Sequence, residues 1–446
     1  MYSKLFSRFL YPFYETIIRK RQTFSYYAEY IDNQSLSLDE LQAIQQKKLK
    51  LLIQHCYDNV SYYRKVWDEI GFAPQDFKQQ SDLQLLPILT KDIIKKNYND
   101  MIAVNYKNQV IPKATGGSTG VPLQFAITRE SYEKRVAVTW RGYEWSGADL
   151  GKKTAYIWGQ DFKYTFLNKI KYGMYNKAFN RKYFNVFEYN NHYERLVLEL
   201  EAYKPKVIVS FVTPLYEFAI YLLENNIEIS LDLDAIVTGA EALQAHQRTQ
   251  IERAFTQKVT NTYGCREFML LAAECEMHEG MHVNIDHVVL ELSKDNNLPG
   301  SMGEVLITDL SNFGMPFIRY KNGDIARYSE QSCSCGRKLP LLSTVEGRVL
   351  DAIKRSNGSL LPGEFFPHLL KDLDGLVRYQ VIQKDIDTLD LNLVVNDTFK
   401  QASLVEVEAI IKQALHDDVV ISFNFLDEIP KTEMGKTRVT ISHVVL

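Results

Sequence analysis

A chain of 446 residues, 46% hydrophobic and 24% charged, is long enough for two or three domains and too balanced for a disordered or fibrous protein. Its net charge of −3, with both signs mixed along the chain, gives no basis for nucleic-acid binding and leaves a small-molecule substrate as the default. No apolar run of about 18 residues occurs, so no membrane span is expected. Without a secretory signal, the cysteines at 56, 265, 275, 333 and 335 point to reduced thiols and a cytoplasmic location.

The N-terminal "MYSKLFSRFLYPFYETIIRKRQ" mixes aromatic and aliphatic residues with basic ones. Two readings stand: a helix packing its aromatics on the protein body, which is favoured, or an interfacial helix lying on a membrane. "SLDELQAIQQKKLKLLIQHCYDNV" predicts a helix with Ser37 as N-cap and an acidic first turn, and "LTKDIIKKNYND" a second with Thr90 and Asp92 at its start. After "KATGGSTGVPLQF", apolar runs alternate with helical patterns. "KPKVIVSFV", "PLYEFAIYLLENN", "LDAIVTGAEAL", "QAHQRTQIERAF" and "KVTNTYGC" give a β-α-β-α-β succession, which predicts a layered α/β domain with chemistry at the strand ends. From Gly303 on, shorter strands are expected. A boundary falls near Arg348 to Asp351, and the last hundred residues read as a small α+β module of order α-β-β-α-β.

The loop from Thr115 to Gly120 lacks the spacing and the lysine of a Walker A motif and is not a dinucleotide fingerprint. Its glycines, with Thr115, Ser118 and Thr119, still suit an anion, although a plain polar turn is an equal reading of the loop alone. Glu267 follows a strand-like run ending in Gly264, where a carboxylate beside phosphates calls for Mg²⁺. Asp324, in a Gly-Asp turn, can accept bonds from vicinal hydroxyls. Arg348 stands at the domain boundary and Lys436 follows a glycine in the second module.

"CEMHEGMH" and "CSCG" supply Cys275, His282, Cys333 and Cys335, a set that can close a tetrahedral Zn²⁺ site. His278 is the substitute ligand. A set of reduced, partly buried thiols is the alternative, because C-x-C is not the commoner spacing. Four protein ligands leave no open position, so such a zinc is structural. Cys56 and Cys265 have no adjacent base that would make them nucleophiles.

In this order and spacing the motifs resemble the adenylate-forming enzyme superfamily, and within it the phenylacetate–CoA ligase and CapK-like subgroup. The likeness runs over nearly the whole chain, including "LQAIQQKKLKLLIQHCYDNVSYYRKVW" and "LLPILTKDIIKKN". It implies a large N-terminal adenylation domain, residues 1–348, of layered sheets and helices. A small mobile α+β lid, residues 349–446, would carry the catalytic lysine. It further implies that Thr115, Gly116, Gly117, Ser118, Thr119 and Gly120 hold the ATP phosphates and that Glu267 ligates Mg²⁺. By the same likeness Gly239, Ala240, Glu241, Tyr263 and Gly264 wall the adenine pocket. Asp324 takes the ribose with Arg348 assisting, and Lys436 bridges the acid carboxylate and the α-phosphate. Similar Cys and His positions hold a structural zinc in some relatives.

The implied activity is acid plus ATP to acyl-adenylate, then transfer, most often to CoA. An AMP-forming ligase joining the acid to an amino sugar or amino acid in capsule or O-antigen synthesis is the rival, and an inactive zinc-stabilised binding protein is a reading from another class. A homodimer stays open. Two departures stand out: Leu350 occupies a position where a polar hinge residue is expected, and Arg266 one where a small hydroxyl residue is common, which would favour an anionic acyl substrate.

Overall fold

The computed structural model describes residues 5–115, 123–158, 173–185, 193–293, 299–348, 353–356, 360–361, 365–370, 373–416, 418–429 and 440–444. Helix α1 (Thr23–Asn33) is followed by α2 (Leu38–Asn59), which starts where its cap dictates. The Ser37 hydroxyl accepts from the Glu40 N–H, and the Glu40 carboxylate accepts from the Ser37 N–H at 2.9 Å. Such a reciprocal pair satisfies two orphan donors and stabilises a helix by about 1 kcal/mol. Leu41, Leu49, Leu52 and Ile53 form the buried face of α2. Thr90 likewise caps the helix Lys91–Lys96 by accepting from the Ile93 N–H.

Strands β1 (Val110–Ala114) and β2 (Gln124–Thr128) form an antiparallel pair around the intervening loop, and α3 (Arg129–Glu144) follows directly. Then come β3 (Thr154–Trp158), β4 (Arg181–Asn185), β5 (Val207–Phe211), α4 (Val212–Glu224), β6 (Ala235–Gly239), α5 (Ala245–Phe255) and β7 (Val259–Cys265). The expected β-α-β-α-β run is therefore β5 to β7, and its strands pair in parallel. Every residue of β5 and β6 is buried, which explains why these strands read as continuous apolar runs rather than alternating ones.

Beyond β7 come β8 (Met269–Glu274), β9 (Met281–Val283), β10 (Val288–Leu292), β11 (Met302–Asp309), β12 (Tyr320–Tyr328) and β13 (Leu341–Arg348), and the pairs β7–β8, β8–β9, β9–β13 and β10–β11 are antiparallel. The eleven strands run in the order β10-β11-β12-β13-β9-β8-β7-β6-β5-β3-β4. Two expectations need correction here. Strands β11 to β13, at eight or nine residues, are longer than β5 and β6, not shorter. Asp324 lies inside β12 rather than in a turn; the Gly323 that suggested a turn takes φ of 89° within the strand, a conformation open to glycine.

The chain divides into two compact units, Met1–Asn322 with Ala326–Val345, and Gly323–Ile325 with Glu346–Leu446. The second unit holds the pair β14 (Ile353–Lys354) and β15 (Leu360–Leu361) and a four-stranded sheet. That sheet is ordered β18-β17-β16-β19, from β16 (Leu376–Asp385), β17 (Thr388–Val395), β18 (Val420–Phe425) and β19 (Thr440–Ser442). Helix α6 (Leu404–Ala414) buries Leu404, Val407 and Ile411 in a core with Val381, Leu389, Leu391 and Leu393.

A buried polar network lies in the first unit. Arg141 of α3, fully buried, donates to both oxygens of Asp286 at 2.7 and 2.9 Å, to Asn284 Oδ1 at 2.6 Å and to the Tyr30 carbonyl at 2.9 Å. Asn33 of α1 donates to the same Asp286 at 3.0 Å. Burial opposes ionisation of Asp286, but Arg141 prevails and holds its pKa below the usual carboxylate value. Beside it His287, bonded to the Tyr30 hydroxyl at 2.8 Å, is pushed by burial down to about 3.

A histidine with a lowered folded pKa favours folding fully above its unfolded value, because below that value only the unfolded state takes up the proton. Stability is therefore expected to fall as pH drops from about 6.5, at about 1.4 kcal/mol per pH unit for this one group. Urea melts of the wild type and of His287→Gln between neutral and mildly acid pH check this. The variant's curve should be the flatter one, and parallel curves would remove His287 as the cause.

Candidate functional site

Strand ends β6 and β7 are neighbours, as their parallel register requires. Gly239 ends β6 where a Cβ would sit 2.7 Å from the Thr262 hydroxyl, and that hydroxyl donates to the Thr238 carbonyl at 2.7 Å. The next residue, Ala240, takes φ of 68°, a left-handed conformation that costs a non-glycine residue about 1–2 kcal/mol. Backbone strain directly after a parallel strand, facing the loop side of the sheet, is a recurrent mark of a ligand site. Glu241 follows in the same turn.

On β7, Tyr263 is buried and its hydroxyl accepts from Asn322 Nδ2 at 2.8 Å. Gly264 has no alternative, since a Cβ there would lie 2.0 Å from the Met269 carbonyl where β7 and β8 shift register. The resulting sharp reversal places Glu267 at the β7–β8 turn, buried, with Oε1 accepting from the Tyr320 hydroxyl at 2.8 Å. Among the described residues no hydrogen bond engages its second oxygen, so the carboxylate fits a hard divalent cation. Asp324 lies two residues beyond Asn322 on β12.

Thr115 closes the neck of the glycine loop: its N–H donates to the Leu123 carbonyl and its Oγ1 accepts from the Leu123 N–H, both at 2.9 Å. This is a narrower role than hydroxyl donor to a ligand. Gly116, Gly117, Ser118, Thr119 and Gly120 lie outside the described residues, as do Leu350, Asp351 and Lys436. Arg348 ends β13.

One residue escaped the sequence reading. Lys113 of β1 stands just before the loop, half-buried, and its pKa is lowered by burial and then by Arg266 and Arg135. Among the described residues no carboxylate pairs with it. The signal was available in "KATGG", but a lysine before the first glycine has no place in a Walker A pattern.

The cysteine expectation finds a defined geometry. Ligand atoms of Cys275, His282, Cys333 and Cys335 all lie within 4.8 Å of one another. Cys275 and Cys333 sulfurs are 3.5 Å apart, and Cys335 Sγ is 3.4 Å from His282 Nε2. Cys275 follows β8, His282 is in β9 paired with Leu341 of β13, and the other two come from the β12–β13 turn. That turn is shaped by Gly336 at φ of 87° and tied down by Glu279, which accepts from the Ser334 N–H at 2.7 Å and hydroxyl at 2.8 Å.

His282 Nδ1 faces the Leu339 carbonyl at 3.3 Å, an orientation that leaves Nε2 for a metal. Burial lowers its pKa to about 4, so the ring is neutral, as a ligand must be. The Met277 N–H points at Cys275 Sγ at 3.5 Å. His278 is not part of the cluster; it sits at φ of 55° with its ring against Glu274 at 3.3 Å. The donor set and its supports fit tetrahedral zinc.

Comparison with known proteins agrees with this architecture. Residues 353–443 match the CapK C-terminal domain family. Over 431 residues the chain is 24% identical to Protein CapK of Staphylococcus aureus, covering 96% of this chain and 94% of that one. Over 368 residues it is 27% identical to phenylacetate–coenzyme A ligase of Thermus thermophilus, covering 80% and 81%. Among solved structures, 2-hydroxyisobutyryl-CoA ligase in the postadenylation state superposes with a TM-score of 0.72 at 18% identity, over 92% of this chain and 91% of that one. The layered sheets followed by a small α+β unit are thus the fold of the adenylate-forming ligases. In sequence the chain is similar to CapK and to phenylacetate–CoA ligases along most of its length.

Proposed function

We propose that the chain activates a carboxylic acid with ATP and then transfers the acyl group, with CoA as the acceptor. A carboxylate oxygen attacks the α-phosphorus, the bond to pyrophosphate breaks, and pyrophosphate leaves with the electron pair. In the second step the acceptor sulfur attacks the acyl carbon and AMP departs. The observation that carries this reading is similarity to phenylacetate–CoA ligases along 80% of the chain or more.

In this reading Gly116 to Gly120, with Thr115 closing the loop's neck, hold the leaving phosphates, Gly239 to Glu241 with Tyr263 and Gly264 wall the adenine, and Asp324 with Arg348 takes the ribose. Glu267 would hold Mg²⁺, which supplies charge neutralisation at the phosphates. Lys436 supplies positive charge between two anions that must meet. Residues 349–446 act as a lid that swings between the steps. Lys113 and Arg266 add a positive field, which favours an acid carrying a further negative group.

Pyrophosphate release measured across aryl acids, short hydroxy acids and amino acids, with and without CoA, tests this reading. Thioester formation with one of them is expected; acyl transfer to an amine with no thiol present would overturn the choice of acceptor. That second outcome is the amide-forming reading, the rival that the CapK-like resemblance of the sequence implies.

We assign a structural zinc to Cys275, His282, Cys333 and Cys335, its role being to clamp the β12–β13 turn to β8 and β9. Purified protein should contain one zinc per chain by elemental analysis, and Cys333→Ser with Cys335→Ser should contain none. A metal-free wild type of unchanged melting temperature would leave the cluster as four reduced side chains.

A further inference from the structure

The N-terminal helical segment presents two unlike faces. It is built from turns Phe6–Leu10 and Tyr14–Ile18 with i→i+5 bonds, joined by the α turn Tyr11–Phe13. A step of four residues overshoots a full α turn and falls short of a full π turn, so alternating them keeps positions four apart in line.

One face is anchored. Phe6 stacks on Tyr11 at 5.3 Å, both rings pack against Phe179, and Tyr11 meets Trp140 at 5.5 Å. Glu15 is buried and pairs with Arg21 at 3.2 Å. The opposite face carries Leu5, Phe9, Phe13 and Ile17 at a strict spacing of four, widened by Leu10 and Ile18. All six are exposed, Phe9 and Ile17 by more than 60%. Because the anchored side is already committed, this stripe cannot bury itself by rolling onto its own protein. An apolar stripe of this size, ordered along one helix, marks an interaction surface.

Charge identifies the occupant. Residues 1–22 contain Lys4, Arg8, Arg19, Lys20 and Arg21 against the single Glu15, in a chain whose net charge is −3. Arg8, Arg19 and Lys20 are exposed beside the stripe. At the end of the helix, Ile18 and Arg19 form the rim of a cleft of about 590 Å³ that Arg21, Lys113 and Arg129 also line. Arg129 fixes the rim by donating to the Arg19 and Lys20 carbonyls at 2.6 and 2.7 Å.

We propose that this face docks the protein on an anionic lipid bilayer, the apolar stripe entering the acyl boundary and the basic rim meeting phosphate headgroups. No described helix is long and apolar enough to cross a membrane, so the mode is peripheral. A second copy of the chain is the poorer partner, because a two-fold contact through this helix would set the same basic residues against each other. Anionic headgroups instead attract each one, and the attraction is screened by salt.

Flotation of the full-length protein with vesicles tests the proposal. With equal parts phosphatidylcholine and phosphatidylglycerol the protein should float at low salt, and binding should weaken as salt is raised or when phosphatidylcholine is used alone. The combined variant Phe9→Ser, Phe13→Ser, Ile17→Ser should lose about tenfold or more of its partition. All three positions are exposed, and its circular dichroism should match the wild type. Should that variant misfold, Arg8→Glu with Lys20→Glu gives the same reading through charge. Failure of the wild type to float with the anionic vesicles would overturn the proposal, as would equal binding to the neutral ones. Light scattering that shows a dimer dissolved by the serine variant would also overturn it, giving the stripe to a second copy.

Discussion

Lys436→Ala should lower acid-dependent pyrophosphate release by about 100-fold or more, while ATP binding stays near the wild-type value. The proposed reaction drives a carboxylate onto a phosphate, and the repulsion peaks as the new bond forms. A cation placed between them acts on the transition state far more than on either bound substrate, so its loss appears in kcat rather than in nucleotide affinity. A second measurement separates this role from a structural one: with chemically prepared acyl-adenylate and CoA, the variant should form thioester at close to the wild-type rate, because the carboxylate–phosphate encounter is already past. Equal loss in both half-reactions would show that Lys436 supports the second unit rather than the chemistry.

Regular elements in this chain announce themselves by local rules. Ser37 is the N-cap the sequence suggested, and Glu40 completes a capping box with it, while β5, α4, β6, α5 and β7 follow their apolar runs within a residue or two. The Cys275, His282, Cys333, Cys335 grouping was also readable, because metal-ligand chemistry restricts which side chains can converge. Choosing His282 over His278 was less determined by spacing. The structure separates them because His282 belongs to a strand paired with β13, whereas His278 turns toward Glu274.

What escaped depends on long-range packing. Asp324 looked like a turn residue because Gly323 precedes it, yet β12 runs on through the glycine from Tyr320 to Tyr328, between β11 and β13 in the sheet. The N-terminal aromatics were expected to pack on the body; among the described ones Phe6, Tyr11 and Tyr14 do so, while Phe9 and Phe13 stay exposed, and which face of the helix finds a partner is decided by Phe179 and Trp140, far along the chain. Likewise nothing local in "VNIDHV" says that Asp286 meets an arginine 145 residues earlier.

That meeting carries the largest expected effect on stability. Arg141→Met should destabilise the protein by about 3–5 kcal/mol, measured by urea melts at neutral pH. The methionine fills much of the space, so the loss comes from charge: Asp286, fully buried, would keep Asn33 but lose the two guanidinium bonds that hold its pKa down. Removing one partner of a buried pair costs more than the pair contributes, because the other partner's desolvation is no longer offset. The same logic predicts partial rescue. Asp286→Asn placed on the Arg141→Met background removes the stranded charge and should recover part of the loss, although Asp286→Asn alone is destabilising. A variant within about 1 kcal/mol of wild type would mean that water reaches Asp286 and that α1, α3 and the β9–β10 turn are joined by their apolar contacts rather than by this network.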